Sequence, residues 1–282
     1  KQYTGIVWEH DEEDNLALLF DYGVYGSKLY DPFIYGPYSG YDIQDVEVSW
    51  KKPFYFWWGV WEKADGTTGL YRRASNQSNF LNKAVYFGDY DELASLDFKD
   101  LVLDKDGNPH VLFDNGDGEA VVAHYNQNGK LIWINYRPNP SDGFVAESIT
   151  VGMYGDVRIL FVGDGAFVVE TTGTLGEVVG VPTGHEVVDF DNGWGKNDPD
   201  SRVMLVDSDG NASVLKVAFN GDVNDEFDFD APDGYAFEAM ETGSNSRIYL
   251  MLSGENGTEA AEVWKVNATS GNVEDVREYE MN

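Results

Sequence analysis

One phrase recurs along this chain and limits what it can fold into. An apolar run rich in β-branched and aromatic residues meets an Asp-Gly or Asn-Gly turn, and a second apolar run leaves on the far side. The phrase is clearest at His110-Val-Leu-Phe-Asp-Asn-Gly-Asp-Gly118 and returns at Arg158-Ile-Leu-Phe-Val-Gly-Asp-Gly165 and Arg202-Val-Met-Leu-Val-Asp-Ser-Asp-Gly210. Looser copies close at Gly23, Gly66 and Gly257. Runs of this kind closed by Asp-Gly or Asn-Gly are the strongest short-range hairpin signal a sequence offers. The turn glycines Gly66, Gly118, Gly165, Gly210 and Gly257 are spaced by about 45 to 52 residues, the period of architectures that repeat one small sheet.

The spacing divides the chain into six units of about four strands, at about 1–44, 45–93, 94–143, 144–185, 186–233 and 234–282. Unit one is expected to end on a strand at 41–44 and unit two to open on another at 46–50. Unit four is expected to close on a strand at 177–181. The second strand of each unit is almost continuously apolar, as in Leu16-Ala-Leu-Leu-Phe20, which suits a strand covered on both faces. Fourth strands such as Asp225-Glu-Phe-Asp-Phe-Asp230 alternate charged and aromatic residues and read as exposed edges. No apolar period of 3.6 residues persists long enough for a helix of several turns. Buried inner strands and polar outer ones, repeated radially, describe an all-β, six-bladed β-propeller of four-stranded antiparallel blades forming one domain over 1–282. A β-helix or a pair of stacked sandwiches would fit the repeat spacing less well. The turn glycines Gly118, Gly165 and Gly210 are expected at positive φ.

Charge sets the function classes. The chain carries 50 acidic against 19 basic residues, a net charge of −31, which excludes nucleic acid as a natural partner and disfavours anionic membrane surfaces. With 42% hydrophobic and 15% aromatic residues it is a folded chain and not an acidic disordered one. There is no cysteine, so disulfides, thiol catalysis and cysteine metal sites are excluded. No apolar run reaches membrane-spanning length. The chain starts at Lys1 with no leader pattern, as a processed or excised segment would.

These repeats resemble bacterial surface β-propeller repeats. The likeness rests on Gly36-Pro-Tyr-Ser-Gly-Tyr41, on the strand Ala120-Val-Val-Ala-His-Tyr125 before Asn128-Gly129, and on the aromatic closing strand Glu262-Val-Trp-Lys-Val-Asn267. It implies a six-bladed propeller of exported proteins, at the cell surface or outside the cell, and implies no activity. Six-bladed fucose-binding lectins have a similar unit size, but their sugar-binding Arg/Glu/Trp set has no blade-by-blade match here.

Four sets of residues could carry chemistry. The chain has four histidines, His10, His110, His124 and His185. His110 and His124 flank one hairpin, although histidines in apolar strands are more often structural than ligating. With no zinc-protease, nucleophile-elbow or phosphate-loop motif, the sequence leans away from an enzyme and implies no catalytic residue. Oxygen ligands alternate around glycine at Asp104-Lys-Asp-Gly-Asn108, Asp114-Asn-Gly-Asp-Gly118, Asp191-Asn192 and Asp207-Ser-Asp-Gly-Asn211. Ca2+ loops use that pattern, and Asp207 and Asp209 are the best candidates for it. The competing explanation is that Asp and Asn simply cap their own turns. No other cofactor is implied.

The aromatic run Trp57, Trp58 and Trp61, followed by Tyr71 and Arg72, has the composition of a sugar platform, and equally that of an inner strand packed on both faces. Tyrosines at 22, 25, 30, 35, 38 and 41 suit a contact surface. Sequons at Asn76, Asn211, Asn256 and Asn267 offer glycosylation sites on turns. The preferred expectation is a non-enzymatic surface module for adhesion or for assembly of a larger structure, with a protein or glycan partner and self-association favoured by high salt or calcium. The alternative is a carbohydrate-binding or carbohydrate-cleaving propeller.

Overall fold

In the computed structural model, the described residues are 5–10, 15–21, 27–30, 41–49, 55–63, 66–75, 83–116, 119–141, 143–152, 154–192, 200–218, 220–243, 247–254 and 260–280. They form antiparallel sheets, with a 3₁₀ turn at Phe87–Asp89 as the only helical element among them. None of their helices is long and apolar enough to cross a membrane. By its contacts the chain divides into two compact units, Gln2–Ile149 and Thr150–Asn282.

The first unit holds three sheets. Strands β1 (Gly5–His10), β2 (Asn15–Asp21) and β3 (Ser27–Tyr30) form the first. The second is β4 (Tyr41–Ser49), β5 (Tyr55–Lys63), β6 (Thr68–Ser75) and β7 (Lys83–Tyr86). The third is β8 (Asp97–Leu103), β9 (Pro109–Asp114), β10 (Glu119–Tyr125) and β11 (Leu131–Pro138). Strand β12 (Val145–Val151) crosses the unit boundary and pairs with β13 (Val157–Gly163), followed in that sheet by β14 (Ala166–Thr171), β15 (Thr174–Leu175) and β16 (Val179–Gly180). The second unit continues with β17 (His185–Asn192), β18 (Ser201–Asp207), β19 (Ala212–Val217) and β20 (Val223–Phe229). It ends with β21 (Tyr235–Gly243), β22 (Arg247–Gly254), β23 (Ala260–Asn267) and β24 (Val273–Glu280).

Burial follows the expected gradient where side chains are described. Five consecutive residues are buried in β9, β13 and β18, so these second strands are covered on both faces; most of those residues are apolar, and His110, Arg158, Ser201 and Arg202 are the buried polar ones among them. At the other extreme β20 is exposed along most of its length, and its Asp225, Glu226 and Asp228 face water.

Two strand assignments need correction. The expected pair 41–44 and 46–50 is one strand, β4, and it opens the second sheet instead of closing the first. No Gly or Pro interrupts it; a bulge between Ile43 and Asp45 takes up the irregularity. The expected strand at 177–181 is reduced to β16, with β15 ahead of it, and both pair with β14. A tight turn precedes them, in which Thr172 and Gly173 both have positive φ (47° and 93°), the two-residue hairpin geometry that fits strand twist. Gly165 and Gly210 have the expected positive φ, 69° and 83°, whereas Gly118 lies outside the described residues.

Sheets within each unit are tied by carboxylates on their first strands. Strands β4, β8 and β17 each carry a bulge just before an aspartate, Asp45, Asp100 and Asp189. The aspartate side chain then accepts a backbone N–H from the first strand of the next sheet. Asp45 Oδ2 accepts from Leu101 at 2.9 Å, Asp100 Oδ2 from Ile149 at 2.7 Å, and Asp189 Oδ2 from Met240 at 2.6 Å. A bulge widens the spacing of a strand and re-aims one side chain; here it frees an amide for the neighbouring carboxylate. Asp100 also accepts from the Ser148 hydroxyl at 2.5 Å. Burial outweighs these donors and pushes the Asp100 carboxyl up to about 6, with Asp45 as a hydrogen-bonding neighbour.

Candidate functional site

Among the described residues, the third sheet gathers a cluster of metal-ligating side chains, Asp104, His110 and His124. β9 and β10 form the hairpin around residues 115–118, and its register sets His110 directly opposite His124. Directly opposed residues share one face of a sheet, so the two imidazoles stack, with ring centroids 4.2 Å apart and planes 18° off parallel. One strand further out Trp133 of β11 lies opposite His124, and its ring is tilted against both histidines at 5.0 and 5.7 Å. His110 is 4% exposed.

Asp104 is delivered by the turn between β8 and β9. Its backbone N–H donates to the Asn108 carbonyl, and Gly107 N–H donates back to the Asp104 carbonyl. Its Oδ1 accepts the backbone N–H groups of Asp106 and Asn108 at 2.8 and 2.9 Å, and its Oδ2 accepts the Asn108 side-chain amide at 2.9 Å. This Asx turn explains the Asp-x-Asp-Gly-Asn phrase locally. It also aims Oδ2 at the histidines, 3.9 Å from His110 Nε2 and 4.0 Å from His124 Nε2.

Electrostatics separate the members. Burial opposes ionisation of Asp104, but the nearby His110 imidazole, the Asn108 side chain and the turn's N–H groups outweigh it and hold the carboxyl well below the usual range. Burial, followed by the neighbouring His110, pushes His124 down to about 4, against a smaller upward pull from Asp104. His124 is therefore a neutral imidazole at physiological pH.

A second layer joins this cluster to Arg72 of the second sheet. The Arg72 guanidinium donates to the Gln127 carbonyl at 2.6 Å and lies 5.8 Å from the centroid of the Trp58 ring. Gln127 in turn donates its backbone N–H to Asn108 Oδ1 at 3.1 Å and its side-chain amide to the Asp106 carbonyl.

Of the residues expected to bind a ligand, Trp58 and Trp61 are 0% and 2% exposed. They fill the sheet interior and offer no ring face to a dissolved sugar. The side chains of Trp57 and Tyr71 lie outside the described residues, which leaves Arg72 as the partly exposed member. Asp207 repeats the Asp104 turn: its Oδ1 accepts Asp209 and Asn211 N–H at 2.8 and 2.9 Å, and its Oδ2 accepts the Asn211 amide at 3.0 Å. Among the sequons, Asn76 and Asn256 lie outside the described residues. The side-chain amides of Asn211 and Asn267 already donate, to Asp207 and to Glu274.

The histidines and Asp104 were each visible in the sequence but assigned apart, the former to the core and the latter to a capped turn. Register was the missing signal. A hairpin pairing Asp114 with Ala120 must also pair His110 with His124.

No known family's sequence pattern matches this chain, and no curated protein resembles it in sequence. Solved structures do. A catalytically inactive variant of virginiamycin B lyase from Staphylococcus aureus, bound to quinupristin, matches at TM-score 0.51 and 16% identity, over 100% of this chain and 85% of that one. The SapL1 lectin in complex with alpha methyl fucoside matches at TM-score 0.54 and 11% identity, over 95% of this chain and 88% of that one. A prolyl endopeptidase matches at TM-score 0.52 and 11% identity, over 99% of this chain but 49% of its own length. At these identities the likeness establishes a β-propeller-like fold and nothing about activity.

Proposed function

We propose that the six sheets are the blades of one propeller, which works as a non-enzymatic module at the cell surface or outside the cell and assembles with further copies of itself into a larger structure. The observation that carries this reading is the edge strand β11. It lies at the end of its sheet, with β10 as its one partner among the described strands. It exposes Ile132 and Tyr136, each 49% accessible. Its sequence Leu-Ile-Trp-Ile-Asn-Tyr-Arg-Pro contains no carboxylate, and Lys130 and Arg137 are the charges beside it. The edge strands β20 and β24 are acidic, with Asp225, Glu226 and Asp228 in one and Glu274, Asp275 and Glu278 in the other. Natural edges are usually blunted by charge; β11 carries charge only at its two ends, at Lys130 and Arg137, with Ile132 and Tyr136 exposed between them, and its cationic ends complement the acidic edge of a second copy. Head-to-tail pairing of unlike edges builds closed rings or open assemblies.

The net charge of −31 opposes such contact until it is screened. Sedimentation velocity tests the reading: a monomer is expected at about 0.01 M salt, where charges are felt out to about 30 Å, and larger species at about 1 M salt or with calcium. The double variant Ile132→Lys, Tyr136→Lys should stay monomeric throughout. Association independent of salt, or unchanged in the variant, would contradict it. A second reading, glycan binding, has one support, the fold likeness to a lectin; binding on a glycan array with the β11 variant unaffected would favour it.

A further inference from the structure

We propose that Asp104, His110 and His124 form a binding site for a divalent transition-metal ion, with zinc(II) or cobalt(II) its readiest occupant. This inference is independent of the assembly reading. It rests first on placement: one ligand atom from each residue lies within 4.8 Å of the others. Donors bound to one zinc at 2.0–2.2 Å sit roughly 3.3 Å apart in a tetrahedral set. The distances of 3.9 and 4.0 Å from Asp104 Oδ2 to the two Nε2 atoms therefore exceed that by under about 1 Å, within the swing of a side chain.

The second support is an unmet ring nitrogen. His110 Nδ1 and both ring nitrogens of His124 are buried with no hydrogen bond among the described residues. An unmet polar atom in such a place is costly, and an ion bound at His124 Nε2, the atom that faces Asp104, would meet that one. Asp104, by contrast, is fully oriented: the Asp106 and Asn108 donors fix its carboxylate before any ion arrives. A ligand held by hydrogen bonds in this way is what a metal site needs around it.

Chemistry narrows the ion. Calcium and magnesium take oxygen donors and make poor use of two imidazoles. Soft ions want sulfur, and the chain has no cysteine. Two nitrogens and one carboxylate suit zinc, cobalt, nickel or ferrous iron, and three ligands leave at least one position open. Asp104 and His124 keep 16% and 17% of their side-chain surface, so the cluster is reachable from solvent. The acidic surface as a whole concentrates cations near it.

A structural explanation competes, in which the stacked pair fills the end of the sheet beneath Trp133. The two explanations part in one experiment, because the chain has only four histidines and each gives its own ring signals. In carbon-resolved NMR of the full chain, titration with zinc should shift His110 and His124 together, saturating at one ion per chain, and leave His10 and His185 in place. Cobalt(II) should give visible absorption bands of a four- or five-coordinate ion. Asp104→Asn should weaken zinc binding by at least about tenfold. Four histidines responding alike, no response at about millimolar zinc, or a folded Asp104→Asn variant that binds as tightly as the parent would each overturn the site. Should that variant not fold, the parent's histidine shifts and cobalt spectrum decide the matter.

Discussion

Gly165 and Gly210 occupy the same kind of turn but do not carry the same burden. Both have positive φ, so any other residue there is strained. Around Gly165 nothing lies within 4 Å of an added Cβ, whereas at Gly210 that atom would sit 2.9 Å from Ala236 Cβ and 3.0 Å from the Tyr235 carbonyl oxygen. Gly165→Ala should cost about 1 kcal/mol in urea unfolding, and Gly210→Ala clearly more, about 2–3 kcal/mol. Equal losses would show that backbone strain alone governs both. His124 makes a pH prediction at the same scale. Its folded pKa of about 4 lies below the ordinary 6.5, so the native state binds fewer protons than the unfolded chain. Its contribution to stability is complete above about pH 6.5 and is lost as pH falls towards 4, by on the order of 3 kcal/mol. The variant His124→Asn should lack that acid-side loss when unfolding is compared at pH 7 and pH 4.5.

The elements were legible because one burial gradient recurs in the sheets whose side chains are described. Strand β8 ends at Leu103, just before the Asp106-Gly107 turn and Pro109 that the sequence displays. What could not be read was the bulge. Nothing in Gln44-Asp45-Val46 announces an extra residue, and its purpose is met about fifty residues later, at the Leu101 amide. The aspartates that use these bulges therefore look like surface charge in the sequence and act as fasteners between sheets. Asp189→Asn should destabilise the domain by about 1–3 kcal/mol, because the Met240 and Phe190 amides lose a charged acceptor. Asp100 runs opposite to His124. Its folded pKa of about 6 is raised above the ordinary 3.8, so the native state holds the extra proton. Its contribution is fullest at low pH and is lost as pH rises through about 6. The stability of the parent relative to Asp100→Asn should shrink across that interval, and a difference that grows with pH would contradict the buried-carboxyl account.

For the whole molecule, the period of the turn glycines conveyed the repeat architecture, and the assembly proposal rests on its edges. Exposed acid is spread over β20 and β24, while β11 is left apolar and flanked by cations. Periodicity could not reveal that contrast, because the β11 residues Leu131, Trp133 and Ile134 read as ordinary core and only the fold exposes Ile132 and Tyr136 beside them. If all six sheets form one ring, calorimetry should show a single transition with equal calorimetric and van't Hoff enthalpies. Two transitions would mean that residues 2–149 and 150–282 unfold separately. The assembly reading is tested most directly by backbone hydrogen exchange of the full chain at about 0.01 M and about 1 M salt. The account predicts that, as larger species appear, the outward amides between Leu131 and Arg137 become protected along with an acidic edge, β20 or β24. Association that leaves the β11 amides exchanging as fast as in the monomer would contradict it.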